Sequence, residues 1–302
     1  MRQIREIGEG ELGTLVEIAR AAQPREFASV SGFVDWRQQA AETAWLVAEE
    51  DGEPVGAAYA LTGWHTPPHR AIAAAFVPPE RRGAGVGGTL VDALEDWASA
   101  REVTELEGPV SEDDRSSLDW VGRRGYTETG RNSRLVLDLQ AIDAPETNAP
   151  AGIEIVTWAA RPELAQDMYE VGRVAVRDIP GEEEDDIGTL EEWLARDMQA
   201  ASDDPRAVFV AVADGEVAGY AKLSLSPDTP ERAYHDLTCV RRSSRGQGIA
   251  GALKRTQIAW AKANGYTSLQ TSNEVRNEPI RRLNERHGYV LEPGVVIVRR
   301  SF

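Results

Sequence analysis

The chain has 302 residues and carries 50 acidic against 33 basic side chains, a formal net charge of −17. That length suits two domains of roughly 150 residues each, and a 41% hydrophobic fraction belongs to a globular chain. The acid excess argues against nucleic-acid binding, and it suits either a cationic partner or simply a solubilising surface. One cysteine and four histidines leave no internal disulfide and no dedicated metal cage.

The opening residues, Met1-Arg2-Gln3-Ile4-Arg5-Glu6, hold no apolar leader, and no run of ~20 apolar residues spans a bilayer, so a cytoplasmic, membrane-free protein is expected. A strand over 4–7 leads into helical material. Strands over 44–50 and 55–61 flank Asp51-Gly52, a dipeptide that supplies the positive φ of a tight hairpin. A fourth strand spans 70–77, and a glycine-rich loop then opens a helix over 87–100. A strand over 103–110, a short helix ending at Gly125 and a final pair of strands complete this half. The same order returns as strands 153–157, 207–213, 217–225 and 233–240, a helix over 248–264, a strand over 267–271 and a short helix ending at Gly288.

The return is a repeat. Asp51-Gly52-Glu53 matches Asp214-Gly215-Glu216, Gly56 matches Gly219, and Val77 matches Val240. Leu90 matches Leu253, Trp97 matches Trp260, and Gly125-Tyr126 matches Gly288-Tyr289, every pair 163 positions apart. So many matches on one offset mean duplicated α/β halves with a mixed sheet. The stretch QAIDAPETNAPAG, over 140–152, has no apolar periodicity and holds Pro145 and Pro150. It reads as a linker, with domains expected over 1–140 and 153–302 and the linker over 141–152.

The glycine loops read RGAGVGG over 82–88 and RGQGIAG over 245–251. Both satisfy G-x-G-x-x-G, the dinucleotide fingerprint, but in that fold the strand runs almost directly into the first glycine. Here five residues intervene, 78–82 and 241–245, and some 80 residues of domain come first. No Gly-Lys-Ser/Thr follows either, which excludes a Walker-type loop. What remains is an anion site: glycines admit a phosphate to the N–H groups and dipole of a helix N-terminus. The bland alternative is a tight turn, but two copies preceded by Arg82 and Arg245 favour the anion.

Val-x4-Arg-Gly-x-Gly-x-Ala/Gly on a fourth strand resembles the acetyl-CoA pyrophosphate signature of GNAT N-acetyltransferases. The second half adds Thr271, Asn273 and Asn277-Glu278-Pro279, then Leu283-Asn284-Glu285-Arg286-His287-Gly288-Tyr289, similar to the segment that closes such folds. The resemblance covers nearly all of both halves and implies tandem GNAT-type acyl-CoA N-acyltransferase domains with acetyl-CoA as co-substrate between strands four and five. It assigns Thr238, Cys239 and Val240 to backbone contacts with the pantetheine arm. It assigns Arg245, Gly246, Gln247, Gly248, Ile249 and Ala250 to the pyrophosphate cradle and Asn277 to a polar cofactor contact. In the first half it assigns Val77, Arg82, Gly83, Ala84, Gly85, Val86 and Gly87.

Acetyl transfer to an amine needs a proton acceptor, a polarised carbonyl and a departing thiolate. Strand parity counted from Val240 places Thr238, Asp236 and Tyr234 on one face, and from Val77 places Ala75, Ala73 and Ala71 there. The second half is therefore expected to be catalytic, with Asp236 as base and Tyr234 as a partner. The alternative for Asp236 is a hydrogen-bonded strand carboxylate without catalytic role. By the same parity Cys239 and His235 share the opposite face, Cys239 as a core thiol. The tyrosine that many family members place four residues before the closing glycine, to protonate the thiolate, is here Asn284 or Val121, so either water or Tyr234 is expected to serve, or the thiolate leaves without a strong acid. The position of Asn277 is Asp114 in the first half, which suggests a degenerate or scaffolding copy. Trp97 and Trp260 read as core, and the acidic run 182–186 as a solvated loop or a lid for a cationic amine. The expected function is N-acetylation of a small primary amine by direct attack in a ternary complex, as a monomeric pseudo-dimer or a homodimer. The alternatives are a non-catalytic acyl-CoA-binding or sensing protein and a mycothiol-synthase-like acetyltransferase.

Overall fold

In a computed structural model that describes residues 2–26, 28–63, 66–180 and 187–302, the chain forms two compact units. One is Met1–Gly130 with Val295–Phe302, the other Arg131–Gly294. The first half of the chain runs β1 (Arg2–Glu6), α1 (Leu12–Ala22), α2 (Val30–Gln39), β2 (Glu42–Glu50), β3 (Glu53–Thr62) and β4 (Arg70–Phe76). It continues through α3 (Val86–Ser99), β5 (Glu105–Ser111), α4 (Arg115–Arg123) and β6 (Thr127–Asp138). The second half repeats this as β7 (Ile153–Thr157), α5 (Ala165–Val176), α6 (Leu190–Trp193), β8 (Asp203–Ala213), β9 (Glu216–Leu225) and β10 (Arg232–Val240). Then come α7 (Ile249–Ala263), β11 (Ser268–Glu274), α8 (Glu278–Arg286) and β12 (Val290–Ser301).

The strand orders are β1-β2-β3-β4-β5-β12 in the first unit and β7-β8-β9-β10-β11-β6 in the second. Neighbours are antiparallel except β4 with β5 and β10 with β11, so both sheets are mixed as expected. The hairpin turns are also as expected: Asp51 and Gly52 have φ of 53° and 86°, and Asp214 and Gly215 have 51° and 86°.

Two expectations need correction. Each half ends in one strand of 12 residues, not a pair. The units also divide at 130/131 and 294/295, so residues 141–152 lie inside the second unit and do not join two domains. The reason is an exchange of closing strands: Val295–Ser301 of β12 pairs with β5, and 132–138 of β6 with β11. Glycine permits a close approach of β12 to β6, because a Cβ on Gly294 would strike the carbonyl oxygen of Asn132.

Each sheet is covered on both faces. Leu15, Phe33, Trp45 and Tyr59 form the core under α1 and α2, and Leu90, Leu94 and Leu106 that under α3. In the second unit Met168, Trp193 and Tyr220 fill the α5 and α6 side, with Leu253 and Ile258 of α7 opposite. Leu15, Leu90 and Leu253 are fully buried, and truncation of such a leucine to alanine costs about 2–5 kcal/mol. Among the described residues no helix is long and apolar enough to cross a membrane.

Candidate active site

The two glycine loops have one geometry. Gly83 and Gly246 share a φ of 77°, Gly85 and Gly248 one of 82°, a left-handed backbone that a Cβ disfavours. Gly85 and Gly248 are the N-caps of α3 and α7, and neither helix start receives a side-chain cap. The first N–H groups, of Val86 and Gly87 and of Ile249 and Ala250, therefore keep no side-chain acceptor, which suits an anion. Arg82 and Arg245 pin the loops alike, each donating from Nε to the carbonyl of Val77 or Val240 at 3.1 Å. The two loops thus share one geometry, with Gln247 exposed in the second.

Sequence reasoning missed the neighbours of these loops. Arg2 donates to the Ala84 carbonyl at 2.8 Å and pairs with Glu50. Arg82 is bound at 2.8 Å by Asp114, which also caps α4 through the Ser117 N–H, so that carboxylate is neutralised locally. Its equivalent Asn277 starts α8 without a side-chain cap bond. In the second unit Asp178 binds both Arg242 and Arg245. The Arg242 hydrogen bond, then Arg245, holds its carboxyl at about 2, against opposing burial.

The parallel strands separate after three paired residues in each unit. In the first, a cavity of about 470 Å³ opens in this splay, lined by Ala73, Ala75, Val77, the 82–88 loop except Ala84, Val91, Leu94, Gly108 and Val121. In the second unit the residues at these places are longer. Val91, Leu94, Gly108 and Val121 become Lys254, Gln257, Thr271 and Asn284, each at most 3% exposed.

The strand that carries the expected base is not regular. Against β9, residues 233–235 of β10 pair in one register and 238–240 in a register shifted by one. A β-bulge at Asp236-Leu237 accounts for the shift, whereas β4 pairs with β3 without interruption. Parity counted through the bulge therefore fails. Tyr234, Asp236, Leu237 and Cys239 lie toward α5 and α6, whereas His235 and Val240 face α7. His235 and Cys239 do not share a face, and Asp236 does not share one with Val240. By its β9 and β11 pairings His235 takes the place of Ala73, and the Thr271 hydroxyl, where the first half has Gly108, donates to its carbonyl at 3.1 Å.

The bulge delivers Asp236 to a charged cluster. Its carboxylate lies 2.7 Å from Lys222 Nζ and 3.1 Å from Ser224 Oγ, with its side chain 42% exposed. Lys222 is buried, and its Nζ also meets Asp203 at 2.9 Å and the Asp197 carbonyl at 2.5 Å. Burial opposes the Lys222 charge, but Asp236 and Asp203 outweigh it and keep the ammonium protonated. Burial, then Asp236, raises the Tyr234 phenol above its ordinary range, with Ser272 opposing, so the hydroxyl keeps its proton. Burial pushes the Cys239 thiol up to about 12, which fits a core thiol and not an acyl carrier. In the first unit Tyr59 stands at the place of Lys222 and packs with Phe33, Trp36, Trp45 and Phe76. The acidic run 182–186 lies outside the described residues.

A splayed parallel pair beside a glycine loop at a helix N-terminus, present twice, defines a tandem acyltransferase fold. A sequence model of the Acetyltransferase (GNAT) family matches residues 13–126 and 164–289, and the chain belongs to that family of acetyltransferases. Mycothiol acetyltransferase from Amycolatopsis mediterranei is 28% identical over 230 residues, 74% of this chain and 73% of that protein. A tandem GNAT protein from the clavulanic acid biosynthesis pathway has the same fold, with TM-score 0.78, 20% identity and coverage of 100% of this chain and 98% of that one. A GCN5-related N-acetyltransferase from Sphaerobacter thermophilus also gives 0.78, at 22% identity over 99% and 95%.

Proposed function

We propose that the chain transfers acetyl from acetyl-CoA to the primary amine of a small, cationic acceptor by direct attack in a ternary complex, with the chemistry in the second unit. The bulged strand carries this reading: it sets a half-exposed carboxylate beside a protonated phenol, where the first unit has an aromatic core. Asp236 takes the ammonium proton, directly or through water. Tyr234 donates a hydrogen bond to the acceptor, and Lys222 fixes the carboxylate. A positioned base contributes about 10²–10⁴-fold. Thr238, Cys239 and Val240 run along the pantetheine arm, residues 245–250 cradle the pyrophosphate, and Asn277 adds a polar contact. The first unit, with its intact loop and open cavity, is a coenzyme-binding copy without a base. The bulge gives the thioester carbonyl a means of polarisation, since it frees backbone groups from the ladder.

A second reading of the acceptor rests on the 28% identity to a mycothiol acetyltransferase across three-quarters of both chains, which favours the amine of a thiol-bearing sugar conjugate. Thiol release from acetyl-CoA with an amine panel that includes this class tests both. Asp236→Asn should lower turnover at least 100-fold while acetyl-CoA still binds. Unchanged turnover across pH would remove the assignment of the base.

A further inference from the structure

In the second unit a buried polar cluster stands at the positions whose equivalents line the cavity of the first. Lys254 and Gln257 project from the α7 face equivalent to the cavity-lining Val91 and Leu94, and Lys254 is 1% exposed. Lys254 Nζ lies 3.3 Å from Nδ1 of His235, the residue before the bulge, and 5.4 Å from the centre of the Tyr289 ring. Asn284, on α8, donates from Nδ2 to Asn273 at 2.8 Å. Its Oδ1 and the Tyr289 hydroxyl are buried without a hydrogen-bond partner among the described residues, while His235 interacts with Gln257. A native core rarely leaves buried polar atoms unmet unless a ligand or ordered water meets them.

The choice of lysine matters. The chain has three lysines against thirty arginines, and an arginine cannot give up its proton in a protein, whereas a buried lysine can. The titratable groups facing Lys254 are His235 from β10, His287 at the end of α8 and Tyr289 just before β12. None is a carboxylate, and burial alone lowers the lysine to about 7. An acid of that strength is matched to a thiolate whose conjugate acid lies near 8.5, so proton transfer runs downhill by roughly 30-fold.

We propose that Lys254 protonates the departing coenzyme A thiolate in the second unit, replacing the tyrosine that the family commonly places at Asn284. This deepens the acetyl-transfer reading and rests on it. The acceptor nitrogen forms its bond to the acetyl carbon, the C–S bond breaks with its electron pair on sulfur, and the Nζ proton moves to sulfur. Lys254 is left neutral and recovers a proton from solvent, while the acceptor's proton leaves through Asp236. His235, buried neutral beside Nζ, positions the amine and is not the donor.

The test needs no acceptor. Coenzyme A bound to the full-length protein is titrated by thiolate absorbance in wild type and in Lys254→Met, a swap that keeps the chain length and removes the charge. Coenzyme held by the first unit is common to both and cancels in the difference. The wild type is expected to ionise the bound thiol at least tenfold more readily, and Lys254→Arg to retain that advantage. Coenzyme that binds both proteins and titrates identically overturns the role of Lys254 and leaves acetyl transfer standing. Failure of the wild type to bind coenzyme A overturns both.

Discussion

Lys222→Met offers a direct test of the cluster that positions Asp236. The ammonium sits between Asp203, whose side chain is 1% exposed, and Asp236, with its own side chain 6% exposed. Its removal leaves Asp203 as an uncompensated buried charge and the Asp197 carbonyl without its donor. Breaking a buried pair in this way costs about 3–5 kcal/mol. The loss is bounded because Asp203, whose carboxyl burial already raises, can protonate instead. A raised carboxyl contributes stability that is present below its unfolded value and lost as pH rises through the folded one. The variant should therefore be impaired most at pH 7 and recover toward pH 4. Urea unfolding of the second unit at both pH values measures this, and Lys222→Met with Asp203→Asn should regain much of the loss. A single variant within 1 kcal/mol of wild type, with no pH dependence, would refute the assignment of Lys222 as the counter-ion of a buried carboxylate.

Lys254→Met should have the opposite sign. A lysine lowered from 10.5 to about 7 makes stability rise with pH between those values, by about 1.4 kcal/mol per unit. Its removal should flatten that limb and stabilise the protein by a few kcal/mol at neutral pH, as pH-dependent unfolding will show. Gly248→Val forces a β-branched side chain to a φ of 82°, about 1–3 kcal/mol of strain, and should weaken acetyl-CoA binding by the second unit in calorimetry. Asp178→Asn frees Arg242 and Arg245 for phosphate and should tighten acetyl-CoA binding several-fold at low salt. With that carboxyl at about 2, the wild-type contact should not change between pH 5 and 8.

The duplication, the hairpins and the anion loops were legible because each rests on local signals: Asp-Gly turns, glycines at positive φ and a constant offset. The closing strands were not. Residues 127–138 and 290–301 occupy the same place in the repeat, so sequence pattern alone fits either of them to β5 or β11. The bulge was hidden by the very regularity of the repeat. Six residues link β9 to β10 where seven link β3 to β4, and the extra residue in β10 restores the offset of 163. Face parity, sound for a regular strand, therefore misplaced His235 and the partners of Asp236. Lys222, Lys254 and Asp178 carried no motif, because a buried charge is recognised by its three-dimensional neighbours.

Use of acetyl-CoA at the helix-N-terminal loops is best measured by calorimetric titration of the purified protein with acetyl-CoA. Binding is expected, with the second-unit contribution diminished in Gly248→Val and the first-unit contribution retained. No heat from the folded wild type at millimolar acetyl-CoA would contradict it.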